Sequence, residues 1–140
     1  MKLELEQELT KKFPLLYQYV TEITKPLIPM AFGFEFGDGW FNIISNLSER
    51  IEEYNRTVTN PDLLVKAFQV KEKYGGLRFY IGGAPNEIHD LIEKTEDESL
   101  STCEDCGSPG DMAVSGGWYK TLCDSCMLKL NYNRLLPKEL

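Results

Sequence analysis

Histidine is almost missing from this 140-residue chain: His89 is the only one. That scarcity excludes several chemistries at once. A deaminase-type zinc centre needs H-x-E ahead of P-C-x-x-C, and the residue two beyond His89 is Leu91. An HNH-type nuclease needs catalytic histidines inside its finger, and none lies there. His89 itself falls on a predicted helix and reads as a surface or boundary residue. Basic excess is missing too. Fifteen Lys and Arg stand against 22 Asp and Glu, a net charge of −7, so the chain repels a phosphate backbone and nucleic acid is not an expected partner. No run approaches the roughly 20 apolar residues of a membrane span, and no repeat or low-complexity tract is present. The opening "MKLELEQELTKKF" alternates apolar and acidic residues without the apolar core of a signal peptide. A cytoplasmic location is therefore expected.

Cysteine is also sparse, but it is concentrated. All four lie in "CEDCGSPGDMAVSGGWYKTLCDSC" as two C-x-x-C pairs: Cys103 and Cys106, then Cys123 and Cys126. In a reducing compartment such pairs mark metal more often than disulfides. Tetrahedral zinc takes four thiolates at about 2.3 Å, and each C-x-x-C supplies two from one tight turn. One structural Zn²⁺ is expected, with the ligand set closed against catalysis. Gly107, directly after the second cysteine, suits the positive φ of a knuckle. "MAVSGGWYKTL" predicts a hairpin turning at Gly116-Gly117, and "MLKLNYNRLL" predicts a helix starting near the last ligands. Knuckle, hairpin and ligand-bearing helix give a treble-clef-like module; a strand in place of the helix would give a zinc ribbon. Residues 103–140 hold four Lys and Arg against five Asp and Glu, without the basic footprint of a nucleic-acid-reading finger.

Upstream, the pattern predicts an α+β body over residues 1–100, with the module occupying 101–140 and packed on it. Residues 3–12 predict a short polar helix. "PLLYQYVTEI" restarts a helix with Pro14 at its first position, and Pro26 and Pro29 end it. Phe32, Phe34 and Phe36 alternate as in a half-buried strand. The helix following Asp38, read as its N-cap, carries Trp40, Ile44, Leu47, Ile51 and Tyr54 in one apolar stripe. "KAFQVKEKYGGLRFYIGG" predicts a hairpin turning at Gly75-Gly76, which pairs Tyr74 with Leu77 and Lys73 with Arg78. A further helix runs to about residue 100, with Ile88, Leu91, Ile92 and Thr95 on one side. The expected architecture is a small antiparallel sheet, the hairpin plus one strand, covered by helices.

One stretch departs from the acidic background. Residues 63–86 hold Lys66, Lys71, Lys73 and Arg78 against Glu72 alone. Lys71, Lys73, Arg78 and Tyr80 share the outward face of the predicted hairpin. They form either a solvated surface or a binding face for an anion or partner. Trp118 is the second candidate. It either docks the module onto the body or, if exposed, serves as an interaction hot spot.

"FGDGWFNII", "VKEKYGGLRFY", the long helix ending in "CEDCG", and "GWYKTLCDSC" together resemble a family of small hypothetical proteins of bacteria and their phages. The resemblance covers roughly residues 34–127, and "VKEKYGGLRFY" is its most distinctive part. It implies zinc and a cytosolic or phage-encoded origin, and no activity.

Three functional readings follow. The first is a zinc-stabilised, non-enzymatic protein–protein interaction protein, an adaptor or inhibitor. Its acidic exterior, including Glu93, Glu96, Asp97 and Glu98, would suit docking on a basic partner. The second is a binder of a small anionic, nucleotide-like ligand through Lys71, Lys73, Arg78 and Tyr80. The third is an enzyme whose site is assembled from scattered residues such as Glu35, Asp38, Lys73 and Arg78.

Overall fold

The computed structural model describes residues 1–21, 30 and 33–135. Phe32, the helix terminators Pro26 and Pro29, and the last five residues of the tail lie outside them. The architecture is α+β. Helix α1 (Leu3–Lys12) and short helix α2 (Gln18–Thr21) precede strand β1 (Phe34–Glu35) and the long helix α3 (Phe41–Thr57). Strands β2 (Ala67–Lys73) and β3 (Gly76–Ile81) follow, then α4 (Asn86–Ser99). The cysteine module contains β4 (Asp111–Ser115), β5 (Trp118–Leu122), α5 (Asp124–Leu130) and β6 (Asn133–Arg134).

The body sheet is the expected hairpin plus one strand, in the order β1-β2-β3. The hairpin is antiparallel, while β1 joins β2 in parallel through Phe34↔Val70 and Glu35↔Lys71, which makes the sheet mixed. Both edges are blunted by side chains of flanking helices, as sheet edges must be. On the β1 side, Phe34 N–H donates to the Glu6 carboxylate of α1 at 3.0 Å. On the β3 side, Leu77 N–H donates to Ser99 Oγ and Phe79 N–H to Glu96 Oε2, both at 2.9 Å.

Those last two bonds explain a correction to the hairpin. The turn is Tyr74-Gly75, not Gly75-Gly76, and the pairs are Lys73↔Gly76, Glu72↔Leu77, Lys71↔Arg78 and Val70↔Phe79. Residues flanking a two-residue turn exchange their hydrogen bonds, and alternate pairs thereafter do not. In the observed register, Leu77 and Phe79 therefore turn their N–H groups away from β2 toward α4. The Gly75-Gly76 register would spend them in the ladder and strand Ser99 and Glu96. Because the pairing slips by two residues, no side chain changes face. Val70, Leu77 and Phe79 are buried, while Lys73 and Tyr80 are exposed. Tyr74, expected on the core face, is instead exposed at the turn.

Helix α3 buries Trp40, Ile44, Leu47 and Ile51 as its stripe predicts. Its polar buried residues each have a partner. Ser48 Oγ meets Tyr17 Oη at 2.5 Å, and the Glu52 carboxylate accepts from Leu15 and Leu16 N–H just before α2. Asn55 clamps Val65, accepting from its N–H at 2.8 Å and donating to its carbonyl at 2.9 Å. Asp38 is not the N-cap of this helix. A 3-10 turn (Asp38–Trp40) opens it with Gly37 at the cap position, and the Asp38 carboxylate accepts from Lys2 N–H at 2.7 Å. Residues of the module do the capping, as described below.

Candidate metal centre and the surface beside it

The knuckle begins at Cys103, whose carbonyl accepts from Gly107 N–H at 2.9 Å. Gly107 adopts φ +85°, the left-handed conformation anticipated there. The hairpin β4–β5 turns at Gly116-Gly117 in the expected register, with Ser115↔Trp118 flanking the turn. A helix follows, not a strand: Cys123 stands at the N-cap of α5 and Cys126 lies in its first turn. Asn131 N–H donates to the Leu128 and Met127 carbonyls and ends that helix. It therefore stops short of the expected run through "NYNRLL", and β6 instead returns to pair with β4.

These elements bring four unpaired cysteines together, with ligand atoms all within 4.8 Å of one another. A tetrahedron of sulfurs at 2.3 Å from a metal has edges of about 3.8 Å. Cys106 Sγ and Cys123 Sγ are 3.6 Å apart, so the cluster is already near the size a metal ion requires. Cys103 and Cys126 are buried and Cys106 is exposed. The side chain and N–H of Ser108 hydrogen-bond to Cys106 and hold its thiol down at about 6, well inside the thiolate range at neutral pH. Burial, reinforced by the neighbouring sulfurs, pushes the Cys126 thiol up. All four thiols can be anionic together only when a cation sits among them. If all four bind, no position is left open for substrate. Outside the cluster, Lys129 pairs with Asp105 at 3.0 Å and draws its carboxyl below the usual range. Arg134 bridges Asp111 and Asp124 and so fastens β6 to β4 and α5.

The knuckle is also the cap of α3. Glu104, 3% exposed, accepts from Gly37 N–H at 3.2 Å through Oε2, and its backbone carbonyl accepts from Gly39 N–H at 2.8 Å. Trp40 Nε1 donates to the Thr102 carbonyl at 2.9 Å. The contact is close enough to demand glycine: a Cβ on Gly39 would lie 2.1 Å from the Cys103 carbonyl oxygen. Burial raises the Glu104 carboxyl above its ordinary range, opposed by Lys120 at 3.4 Å and the Gly37 N–H. Nothing in "CEDC" distinguished Glu104 from a solvated acid, and sequence reasoning missed it. "FGDGW" and "CEDCG" thus meet in space.

The hairpin phrase meets the module as well. Thr121 Oγ1 donates to the Gly75 carbonyl at 2.8 Å, and a Cβ on Gly75 would lie 2.6 Å from Met112 Sδ. The tip of β2–β3 is therefore fixed against β4–β5. Trp118 takes no part in that docking. It is 76% exposed, and with Tyr74, 73% exposed, it walls a groove of about 240 Å³ together with Lys73, Glu72 and Tyr119. Tyr74 holds φ +53°, a left-handed conformation that costs an ordinary side chain about 1–2 kcal/mol.

The remaining candidates separate. Lys71 and Arg78 face each other across the ladder, in place of the expected Lys73–Arg78 pair, and Lys73 stands two residues from Lys71 on the same face. Of Lys71, Lys73, Arg78 and Tyr80, Lys73 alone lines the groove. Among the described residues, no hydrogen bond or ion pair joins any two of Glu35, Asp38, Lys73 and Arg78: Glu35 accepts from Gln69, Asp38 pairs with Lys2, and Arg78 donates to the Leu77 carbonyl. His89 is exposed. A second cavity, about 470 Å³ and lined by Tyr19, Tyr54, Lys66 and Phe68 among others, opens at the far end of the hairpin. None of the described helices is long and apolar enough to cross a membrane. Comparison with protein-family models, curated proteins and solved structures returns no match.

Proposed function

We propose that this protein is a non-enzymatic protein–protein interaction protein, stabilised by one structural Zn²⁺ in a treble-clef module and working in a reducing, cytoplasmic setting. The single observation that carries the reading is the pair of hairpin tips. Trp118 and Tyr74 are left exposed on turns locked to each other through Gly75, Thr121 and Met112. Large aromatics on a rigid support lose little entropy on binding and are the usual anchors of an interface. Tyr74 adds weight, because Asn or Gly would occupy its turn position at lower cost. A strained residue retained at the surface points to use by a partner.

Zinc is the ion of choice for four thiolates in a closed tetrahedral site. Elemental analysis of the purified chain should find one zinc per molecule. The small-anion reading of the Lys71, Lys73, Arg78 and Tyr80 face ranks second, because only Lys73 of the four lines the adjoining groove, whose volume of about 240 Å³ falls below that of ordinary ligand pockets. The acidic stripe of α4 also ranks lower, since Glu96 is occupied by Phe79 N–H.

The decisive experiment places a photo-reactive amino acid at position 118, and separately at position 93, in the cells that make the protein. An adduct of defined mass with another protein is expected from position 118 and not from 93. It should vanish when Tyr74→Ala is added. No protein adduct from position 118 would end this reading.

A further inference from the structure

The aromatic groove adjoins a strip of positive charge, and the combination defines a class of partner. We infer that the surface receives an extended acidic peptide segment, with an apolar side chain seated between Tyr74 and Trp118 and carboxylates on Lys73, Lys71 and Arg78. The inference rests on the interaction reading and specifies what the partner presents.

Lys71 and Arg78 are register partners, and like charges directly opposite each other destabilise a sheet unless an anion lies near. Among the described residues, neither they nor Lys73 forms an ion pair. Glu35, the register partner of Lys71 on β1, offsets one of these charges without forming an ion pair, its carboxylate accepting from Gln69 at 3.3 Å. Glu72 accepts from Gly75 N–H at 2.6 Å, and Glu104 pairs with Lys120, so two of the three cations stay unmatched. Lys73 Nζ instead lies 5.8 Å from the centre of the Tyr74 ring. Lys73 thus joins the charged strip to the aromatic groove. In a chain of net charge −7, this is a local reversal of sign, and it complements an acidic ligand.

Spacing favours an extended segment. Lys71 and Lys73 stand two residues apart on one strand, about 7 Å at the usual rise. That matches carboxylates at positions i and i+2 of another extended chain. A single nucleic-acid strand could also stack bases on Tyr74 and Trp118. Three cations would offset few of its phosphates, however, while the rest of the molecule repels them. A peptide with two or three carboxylates meets no such opposition.

The test is selection from a random 12-residue peptide library on the zinc-loaded full chain, followed by calorimetric titration of the enriched peptides and of a dT12 oligonucleotide. Enriched sequences should carry two or more Asp or Glu within four residues of an aromatic or aliphatic side chain. Their affinity should fall about tenfold with Lys73→Gln and with Trp118→Ala, and also as salt rises. Lys11→Gln, an exposed α1 substitution, should leave it unchanged. Circular dichroism checks that each variant is folded. Enrichment of neutral or basic peptides, tighter binding of dT12, or acidic peptides indifferent to both variants would overturn the inference. If the position-118 protein adduct persists in any of those cases, the interaction reading survives; loss of the adduct removes both.

Discussion

In the body, Phe13, Leu16, Tyr17, Trp40, Ile44 and Ile51 are completely buried around one core, whereas the module closes around Ala113, Leu122, Met127 and two of its own cysteines. The body holds its shape by apolar burial, with each buried polar group of α3 matched to a partner. The module, 40 residues long at 101–140, lies at the size below which burial alone rarely suffices. A metal held by its four cysteines would supply what burial cannot, and the module gains a second support by lying against the body. The knuckle contributes in return, because the N–H groups of Gly37 and Gly39, in the turn that opens α3, would otherwise lack these acceptors. The two regions differ in what stabilises them and share one boundary, and each can be perturbed separately.

The largest effect is expected from Cys126→Ser. A structural zinc contributes folding free energy on the order of 10 kcal/mol or more, so losing a buried ligand should abolish stoichiometric zinc and hydrogen-exchange protection in β4 and β5. Protection in the middle of α3 should remain. Global unfolding of the body in the same variant would show that the two regions are one cooperative unit. Next is Gly39→Ala, whose methyl would collide with knuckle backbone that cannot easily move. A cost of about 2–3 kcal/mol is expected in urea unfolding, together with faster zinc loss to a chelator. Gly83→Ala, where a Cβ would meet nothing within 4 Å, should stay within about 0.5 kcal/mol of the parent.

Within the body, Tyr17→Phe should cost about 1–2 kcal/mol by leaving Ser48 Oγ buried and unpaired. Adding Ser48→Ala should recover part of that loss. Burial pushes the Tyr17 phenol above its ordinary value of 10.0. The stability tied to its neutral form is thus complete below pH 10.0 and is lost as pH rises beyond it, because the unfolded chain ionises first. Denaturation followed between neutral and alkaline pH should fall more steeply for the parent than for Tyr17→Phe. The smallest expected effect is a gain. Tyr74→Asn relieves a left-handed tyrosine and should raise stability by about 0.5–1 kcal/mol. The same change should weaken the peptides selected on Trp118. A loss of stability instead would mean that Tyr74 is held for packing.

Much of this was legible in the sequence because the signals were local. Cysteine spacing gave the cluster, the heptad-like stripe gave α3, and Gly116-Gly117 gave the second hairpin. The errors came where a distant residue decided a local choice. Gly75-Gly76 was the cheaper turn on its own terms, yet Ser99 and Glu96, about twenty residues onward, select Tyr74-Gly75. Asp38 had the chemistry of an N-cap, but the approach of the knuckle backbone at Gly37 and Gly39 displaced it toward Lys2. The burial of Glu104 depends on both regions at once, and no short window of sequence contains them.

The capping of α3 by Glu104 has a consequence for the order of events during synthesis. Gly37 and Gly39 leave the ribosome well before residue 104 exists, so the longest helix of the body must wait, with the 3-10 turn that opens it uncapped, for the knuckle to be made and to fold back. Such a long-range closure comes late. A nascent chain halted at residue 100 would hold the whole body sequence and still lack a finished start to α3. Translation through the knuckle is therefore the step that completes the start of α3.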